Sequence, residues 1–356
     1  MSDTPNVALR QGLLGIPIGL LVAVLALIGV LLMPLPADLP VAGQRVLAIL
    51  VFAVVVWITE AVSYEVSAIM ITALLAFLIG TAPTLENPEV VYGTSKAIGM
   101  GLSGFANPAL ALVAGALFIA AAMTLTGLDR RIALMTLSRV GTSSRHILGG
   151  TLVVIVLLSL VVPSTARAAC MVPIMLGIIT AFGIDKRSNF AAGMMIIVAQ
   201  GTSIWNIGIQ TAAAQNLLLV GFMDKLLGER VSWIDWLIAG APWAVMMSFV
   251  LLFIVLKLLP PETERIAGGK EAVARSLAEL GPMTSAQKRL LAVSIGLLLC
   301  WATEGKLHSF DTTSTTYAGL VILMLPRIGV MNWKEVQARV PWGTVIVFGV
   351  GISLGT

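Results

Sequence analysis

Long apolar runs, many of them close to the length that crosses a lipid bilayer, recur along almost the whole chain. A transmembrane helix needs about 20 predominantly apolar residues. The runs lie near 13–33, 45–63, 66–80, 108–127, 190–222, 238–258, 289–303 and 313–326, and a last one begins at Trp342. Charged residues make up only 11% of the 356, whereas soluble domains carry about 25%. The runs therefore predict an all-α polytopic membrane protein.

The charged residues and the cysteines exclude several other classes of protein. The net charge of +4 is spread in short blocks between the apolar runs, which is typical of topology signals and not of a nucleic-acid groove. We therefore expect no nucleic-acid partner. Cys170 and Cys300 both lie inside apolar runs, so we expect neither a disulfide framework nor a metal cluster. No Walker-type loop is present, which argues against a nucleotide-driven pump.

The distribution of Lys and Arg orients the chain in the membrane. A cytoplasmic N-terminus puts 16 of the 22 Lys and Arg residues on the cytoplasmic side and five outside, with Arg167 at membrane depth. Cytoplasmic loops carry an excess of these residues. Arg10 precedes the first run and no small-residue cleavage site follows it, which predicts a retained helix. We expect a multi-pass protein of a bacterial inner membrane with its N-terminus in the cytoplasm.

Two similar motifs indicate an internal repeat. WITE at 57–60 closes one apolar run and WATE at 301–304 closes another, and each is followed by a similar order of gaps and runs. The charge count puts Glu60 on the cytoplasmic side and Glu304 outside, as inverted-topology repeats predict. The alternative is two unrelated interfacial Trp/Glu belts.

The repeat and the polar stretch at 259–288 divide the chain into four parts. We predict an N-terminal transmembrane helix in 1–40, a first repeat in 41–260, a cytoplasmic linker in 261–288 and the start of a second inverted repeat in 289–356. Aligning Gly115 with Gly349 places a partner for residues 164–165 beyond the end of the chain, so we expect an incomplete second repeat that holds one of two half-sites. Gly349, Gly351 and Gly355 favour close helix packing over phosphate binding.

The stretch VVPSTARAACMVPIM at 161–175 interrupts an apolar segment with polar residues. Pro163 removes a backbone donor and disfavours helix just before it, and a new helix begins near Thr165, with Ser164 or Thr165 placed to cap it. Each arm is about 16 residues, roughly 24 Å of helix, which is short for a full span. We therefore expect a re-entrant hairpin over 147–182.

A hairpin tip at membrane depth must be buried in protein or face a cavity. The N–H groups at the start of the second arm and the two hydroxyls would then converge on one point, a combination that suits an anion. The alternative is a Pro-kinked junction in which Arg167 snorkels to the interface.

The run 190–222 is too long for one straight span and contains Thr202, Ser203, Asn206, Thr211 and other polar residues. We expect a broken helix, unwound near 201–211, where carbonyl and side-chain oxygens bind a cation or a substrate. The alternative is a set of polar contacts between packed helices.

Four segments of the chain resemble the divalent anion/sodium symporter family, the INDY-like carriers of di- and tricarboxylates. They are FANPALALVAGALFIAAAMTLTGLDRRIA at 105–133, PSTARAACMVPI at 163–174, SIWNIGIQTAAAQN at 203–216 and VPWGTVIVFGVGISLG at 340–355. The resemblance implies an inverted-repeat carrier whose hairpin tip binds one carboxylate and helps to coordinate sodium. It implies substrate binding by Ser164, Thr165, Arg167, Asn206 and Thr211, and cation binding by Ser164, Thr202, Ser203 and Asn206.

The sequence departs from the family pattern at the tip and at the break. Ser164 stands where family members carry Asn, and Trp205-Asn206 and Gln215-Asn216 replace a Gly pair and Pro-Asn. Arg167 is similar to a residue of members that look like anion exchangers, where a fixed positive charge takes over part of the cation's role. We therefore expect secondary transport of a divalent organic anion, either coupled to sodium or by anion exchange.

We further expect a homodimer in the lipid bilayer, no enzymatic activity, and no cofactor other than sodium as a coupling ion. Two alternatives belong to other functional classes. One is a non-transporting membrane scaffold or receptor built on the carrier fold. The other is an intramembrane serine hydrolase that uses Ser164, for which His146, one whole arm away, would have to be the base.

Overall fold

The computed structural model describes residues 17–34, 39–141, 143–265 and 269–355, so Arg10 lies outside the described residues. Within these ranges the chain is helical and contains no β-strand. The helices, numbered in chain order, are α1 Ile18–Leu32, α2 Val41–Thr59, α3 Tyr64–Leu74, α4 Thr94–Leu102, α5 Pro108–Thr126, α6 Leu128–Val140, α7 Ser144–Ser159, α8 Ser164–Ala181, α9 Asn189–Gly208, α10 Ala214–Phe222, α11 Trp233–Leu258, α12 Gly269–Glu279, α13 Ser285–Thr303, α14 Thr312–Met324, α15 Trp333–Gln337 and α16 Trp342–Leu354.

Five helices of the described chain are long and apolar enough to cross a membrane, namely α2, α5, α8, α9 and α11. Four shorter apolar helices accompany them: α1, α3 with its π-helical extension Leu75–Ile79, α7 and α16. Large apolar side chains lie on the outside of these helices; Phe249 and Phe253 of α11 are 70% and 64% exposed. Such surfaces suit lipid, and the prediction of an all-α polytopic membrane protein is confirmed.

The chain forms two compact units, Met1–Leu110 with Pro341–Thr356, and Ala111–Val340. In the first unit, α1, α2, α3, α4 and α16 share a core that includes Phe52, Ile71 and Val350. Gln44 of α2 is buried beside the end of α1 and donates to the carbonyls of Val30 at 2.9 Å and Met33 at 2.8 Å. The last carbonyls of a helix have no partner within it, so this amide satisfies carbonyls at the end of α1 and connects α1 to α2.

Both copies of the repeated motif end a helix. Thr59 is the last residue of α2 and Thr303 is the last residue of α13. Each threonine hydroxyl donates to the carbonyl four residues earlier, at 2.7 Å in both cases. The local structures therefore agree with a repeat, while the opposite orientation of its two halves and the predicted domain boundaries stay predictions.

A close contact in the first unit explains one of the glycines in α16. A Cβ atom on Gly104 would lie 2.1 Å from the carbonyl oxygen of Gly349, and a Cβ atom on Gly349 would lie 2.6 Å from the ring of Phe105. The Gly104 N–H donates to the Ser353 hydroxyl at 2.9 Å. Gly349 thus serves helix packing, as predicted.

The second unit contains α6 through α15 and most of α5. The apolar pattern of the sequence predicts no helix at α6 and a linker where α12 is found. Val273 of α12 is buried, and the helix packs on α6 and α8. Arg131 of α6 is also buried and donates to Gln287 at 2.8 Å and to the carbonyls of Leu280 at 3.0 Å and Gly281 at 2.9 Å. The predicted linker is therefore structured over the described residues.

The beginning of this linker connects the first turns of two helices. The Ser144 hydroxyl at the start of α7 donates to the carbonyl of Thr263 at 2.6 Å. The Glu262 carboxylate accepts from the backbone N–H groups of Asn189 and Phe190 at the start of α9. A carboxylate there satisfies free N–H groups and interacts favourably with the helix dipole, so residues 260–265 fix the starts of α7 and α9 beside each other.

Our first prediction concerns the contact at Gly104. Gly104→Ala should lower the midpoint of thermal unfolding in detergent, because the new methyl group meets the backbone of α16, and overpacking of this kind costs about 1–3 kcal/mol. Gly99→Ala is the matched control, since a Cβ atom at Gly99 of α4 meets nothing within 4 Å. Equal midpoints for the two variants would contradict the packing role.

Our second prediction concerns Glu262. Burial raises the pKa of this carboxyl, but the N–H groups of Glu262 itself, Asn189 and Phe190 outweigh burial and hold the pKa below its ordinary value of 4.5. The carboxylate therefore stabilises the fold above about pH 4.5, and this contribution is lost as the pH falls through the lower, folded-state pKa. Glu262→Gln should be less stable than the wild type at pH 7.

The difference between Glu262→Gln and the wild type should shrink as the pH is lowered below 4.5, as measured by thermal unfolding over a pH series. Glu264→Gln serves as the control, because among the described residues the Glu264 side chain accepts no hydrogen bond, while its backbone carbonyl accepts from Ser144. A difference that persists unchanged at low pH would rule out the capping role.

Candidate functional site

The predicted hairpin arms are present as α7 and α8, joined by residues 160–163. The first arm ends at Ser159, whose hydroxyl donates to the carbonyl of Ile155 at 2.6 Å. Pro163 is the N-cap of the second arm, with an extended backbone at φ −65° and ψ 158°. The chain turns between α7 and α8 at the predicted proline. That both arms enter and leave the membrane on the same side stays a prediction.

The start of α8 differs from the prediction that Ser164 or Thr165 caps it. Neither Ser164 nor Thr165 caps α8, because Pro163 takes the N-cap position and Ser164 is already helical. The first hydrogen bond of the helix runs from the Arg167 N–H to the Pro163 carbonyl at 2.9 Å. The N–H groups of residues 164–166 thus have no acceptor in the described chain. The hydroxyls of half-buried Ser164 and exposed Thr165 also have none. Several donors therefore lie free at the start of α8.

Arg167 lies one turn further along α8 and is completely buried, with 0% of its surface exposed. One terminal nitrogen donates to the Val162 carbonyl at 3.3 Å. The other donates to the Thr202 carbonyl at 3.1 Å and to Oδ1 of Asn206 at 2.7 Å. The guanidinium therefore lies inside the helical bundle, and the alternative in which it snorkels to the interface is wrong.

No carboxylate of the described chain lies within ion-pair distance of the Arg167 guanidinium; the buried Asp129 side chain is bonded to Cys170, whose thiol donates to the Arg167 carbonyl at 3.2 Å. Among the described residues Arg167 forms no ion pair, and all its acceptors are neutral oxygens. Its Nε has no hydrogen-bond partner, and neither has the buried hydroxyl of Thr202. A buried charge is costly unless it is paired and fully hydrogen-bonded. The arrangement is therefore electrostatically suited to an anion that supplies the missing negative charge.

The broken helix is present, but it breaks later than predicted. α9 continues to Gly208, residues Gln210–Ala212 form a single 3-10 turn between extended residues Ile209 and Ala213, and α10 begins at Ala214. The unwound part is therefore 209–213 and not 201–211. Residues 200–206 lie within a regular helix, from which the Trp205 and Asn206 side chains bond to Ser248 and Arg167, so the polar residues of this stretch do not mark the break itself.

Asn216 of α10 stabilises the break by bonding to the end of α9. It was not predicted as a binding residue. Its side-chain nitrogen donates to the carbonyls of Asn206 and, at 3.1 Å, Ile209. The Trp236 indole donates to the carbonyl of Ile207 at 2.8 Å. The final carbonyls of α9 are thus satisfied by side chains. In the sequence, the polar pair Gln215-Asn216 near the end of this apolar run indicates that a side chain there has a structural role.

The structure brings together some of the predicted site residues and separates others. Arg167 contacts Thr202 and Asn206, and Ser164 and Thr165 precede it by one turn of α8. Ser203 is exposed, and its hydroxyl donates to the Ala199 carbonyl of its own helix at 3.2 Å. Thr211 lies in the break and accepts from the Trp233 indole at 3.1 Å. No contact among the described residues joins Ser203 or Thr211 to Arg167.

All these residues belong to the second unit. Asn206 lies 17 residues after the start of α9, so the guanidinium is roughly 25 Å along that helix at 1.5 Å per residue. α8 and α9 pack on each other. The free donors of the hairpin tip are therefore held far from the polar segment 260–265 at which α7 and α9 begin.

Comparison with known proteins gives matches over most of the chain. A relative from Cupriavidus necator, described as a membrane protein, is 72% identical over 339 residues. Sodium-dependent dicarboxylate transporters SdcS from Staphylococcus saprophyticus and Staphylococcus aureus are 26% and 27% identical over 360 residues. In each case the match covers 95% of this chain and 66% of the relative, so the chain spans just under two thirds of their length.

The model of one protein family also matches this chain. It describes the sodium:sulfate symporter transmembrane region and matches residues 17–356, which include the hairpin, the broken helix and α16. The chain therefore belongs to the sodium:sulfate symporter family, in agreement with its predicted membership of the divalent anion/sodium symporters.

Proposed function

We propose that the protein is a secondary carrier of divalent organic anions, such as di- or tricarboxylates, either coupled to sodium or working by anion exchange. The observation that carries the proposal is the buried Arg167, which lacks a carboxylate partner in the described chain and lies beside free donors at the start of α8. The family and the relatives named as dicarboxylate transporters support the same conclusion.

The tip offers donors of two kinds for one carboxylate of the substrate. The guanidinium supplies a permanent positive charge, since Arg stays protonated in proteins, and its free Nε can donate to a carboxylate oxygen. The N–H groups of residues 164–166 and the hydroxyls of Ser164 and Thr165 supply neutral donors at the positive end of the helix dipole. An anion bound there compensates a charge that is otherwise unpaired.

The polar neighbours of Arg167 position it. Asn206 accepts its shortest hydrogen bond, and Asn216 in turn holds the backbone of Asn206 at the end of α9. Thr202 contributes its carbonyl from the preceding turn. We infer that the cation-binding and substrate-binding roles expected for Asn206 are exerted through Arg167. Ser203 and Thr211, which do not contact Arg167, are peripheral to the binding of the anion.

The family consists of transporters, which confirms the expectation that the chain is not an enzyme. His146, the base that a hydrolase at Ser164 would need, lies in the first turn of α7, whereas Ser164 follows the end of that helix. From His146 to the end of α7 at Ser159 the helix rises over 13 residues, roughly 20 Å, which is far beyond hydrogen-bond reach.

The family is one of multi-pass membrane proteins. We propose that this member resides in a bacterial inner membrane with a cytoplasmic N-terminus and works as a homodimer. The Lys and Arg distribution supports the orientation. The remaining alternative, a scaffold or receptor that binds without transporting, would show anion binding and no uptake.

Our third prediction tests the anion site. The complete gene product in proteoliposomes should take up radiolabelled succinate or citrate, and Arg167→Gln should weaken apparent affinity by about tenfold or more, since a charge-assisted pair contributes about 1.5–3 kcal/mol. Arg139→Gln removes the same charge from an exposed position on α6 and should behave like the wild type. Absence of saturable uptake of any di- or tricarboxylate would refute the proposed transport.

Our fourth prediction tests the positioning by Asn206. Asn206→Leu removes the 2.7 Å acceptor of a buried guanidinium, and the unsatisfied donor costs about 1–3 kcal/mol. We expect a lower unfolding midpoint and an increase in KM for the anion. Ser203→Ala on the exposed side of the same helix should change neither quantity. An unchanged KM in a folded Asn206→Leu variant would show that Asn206 does not position Arg167 for binding.

A further inference from the structure

A buried carboxyl group lies near the anion site and has no role in the proposed function. Asp129, in the first turn of α6, is only 5% exposed. One of its oxygens accepts from the Arg130 N–H at 2.7 Å, and Cys170 of α8 is its side-chain partner from another helix. No Lys, Arg or His of the described chain forms an ion pair with it. A buried carboxylate without a cation is costly, so this position favours a group that becomes neutral by binding a proton.

The Cys170 thiol connects this carboxyl group to the helix that carries the anion site. The sulfur donates to the Arg167 carbonyl at 3.2 Å. A thiol has a single hydrogen, so it donates either to this carbonyl or to the Asp129 carboxylate. When Asp129 is protonated, its O–H donates to the sulfur, and the thiol hydrogen is left for the carbonyl. When Asp129 is ionised, it competes with the carbonyl for that hydrogen. The state of Asp129 thus affects the turn of α8 that begins at Arg167.

The Asp129 carboxyl is also close enough to the hairpin tip for its charge to act there. Cys170 follows Ser164 by six residues of α8, so its partner Asp129 lies roughly 9 Å along this helix from the free donors of the tip. Two negative charges at this separation repel each other in a buried environment, where salt screens them weakly. An anion at the tip therefore disfavours ionisation of Asp129, and an ionised Asp129 weakens binding of the anion.

Two ionisable groups of the described chain act on this carboxyl, Arg130 on its own helix and Cys170 on α8. Helices α7, α8, α12 and α13 pack on α6, but Arg131 and Arg167 donate to other partners. The other ionisable side chains described on these helices do not contribute to the pKa of Asp129; they are Arg139, Arg145, His146, Glu271, Arg275, Glu279, Lys288, Arg289 and Cys300.

Burial raises the pKa of the Asp129 carboxyl above its ordinary value of 3.8. It outweighs the N–H groups of Arg130 and Asp129, the Cys170 thiol and the Arg130 charge, all of which lower the pKa. The ionised form is therefore disfavoured even before an anion binds. An anion at the tip shifts the pKa further in the same direction, so anion binding and proton binding favour each other.

We propose that Asp129 is a proton-binding site whose protonation is coupled to anion binding at the hairpin tip, so that the carrier binds a proton together with its anion. This inference rests on the proposed function, to which it adds the proton as a second ligand. The neighbouring Arg130 is exposed, so the carboxyl lies one residue from the surface and exchanges its proton there. The proton resides on a carboxyl oxygen and is released when the anion leaves.

Our fifth prediction compares succinate binding by the complete gene product and by its Asp129→Asn variant, measured in detergent by isothermal titration calorimetry between about pH 5 and about pH 8. The amide still accepts from the Arg130 N–H and, like a protonated carboxyl, donates to Cys170, so the variant should mimic the protonated state at every pH. At about pH 8 it should bind succinate at least fivefold more tightly than the wild type. The two affinities should converge as the pH falls, because Asp129 of the wild type then becomes protonated.

Matched variants separate the proton site from other effects of pH. The ionisation of succinate itself affects all proteins equally and cancels in the ratio of affinities. Asp185→Asn removes an exposed carboxylate from the loop after α8 and should bind like the wild type throughout. Cys170→Ala removes a hydrogen bond that lowers the pKa of Asp129, so the change in affinity should move to higher pH. Cys170→Ser keeps a donor and should retain the wild-type profile.

Several results would overturn the inference. One is a constant ratio of the Asp129→Asn and wild-type affinities over the pH series, which would leave the proposed transport intact. Another is a pH profile of Cys170→Ala that equals that of the wild type. An Asp129→Asn variant that fails to elute as a monodisperse protein would also contradict it, because a proton site must tolerate a neutral group of the same shape. Absence of succinate binding by every protein at every pH would overturn the proposed function as well.

Discussion

The hydrogen bonds between Arg167 and the oxygens of the hairpin turn and α9 are the interaction on which the second unit depends. The hairpin turn is bonded to the end of α7, because the N–H groups of Val161 and Val162 donate to the Leu158 carbonyl at 3.2 and 2.8 Å, but these bonds do not reach α9. Arg167 provides the connection by donating to Val162 on its own side and to Thr202 and Asn206 on the other. The buried charge that is costly for folding thus also defines where the hairpin meets α9.

At their other ends the same helices are held by the polar segment 260–265. The Ser144 hydroxyl and the Asn189 N–H both bind to this segment, so α7 and α9 begin at one place. Arg131 holds the far end of the linker by bonds to the turn before α13. Two buried arginines in one unit therefore have different surroundings. The Nε of Arg131 donates to Gln287 and its terminal nitrogen to two carbonyls, whereas the Nε of Arg167 has no hydrogen-bond partner in the described chain.

The sequence predicted the helices that are apolar along their whole length, and the reason is physical. Lipid selects about 20 apolar residues for each span. Each predicted run corresponds to a helix that begins or ends within a few residues of its prediction, except 190–222, which forms the two helices α9 and α10. α6 and α12 were not predicted, because they carry charged residues and bury only one side, so they contain no long apolar run. Arg131 and Val273 are buried while exposed neighbours give the segments a polar composition.

The sequence located the hairpin turn but not the backbone geometry of the helix break. Pro163 marked the hairpin turn correctly, because a missing N–H has the same effect in any environment. The break in 190–222 was placed too early, because a polar side chain in a helix can serve a neighbouring element without unwinding its own backbone. Thr202 and Ser203 show what the sequence cannot distinguish. They are adjacent and similar, yet Thr202 is buried beside Arg167 and Ser203 is exposed. Only the packing of α8 on α9 distinguishes them.

The bond from Asn216 to the end of α9 has a consequence for how the protein can vary among species. Its side chain satisfies two carbonyls across the break, and one of them belongs to the residue whose side chain binds Arg167. A change at 216 releases those carbonyls and alters the setting of residue 206, so tolerated changes at the two positions should occur jointly. Residues 167, 206 and 216 should therefore covary. Orthologues in which one of them is replaced should carry compensating replacements at the others.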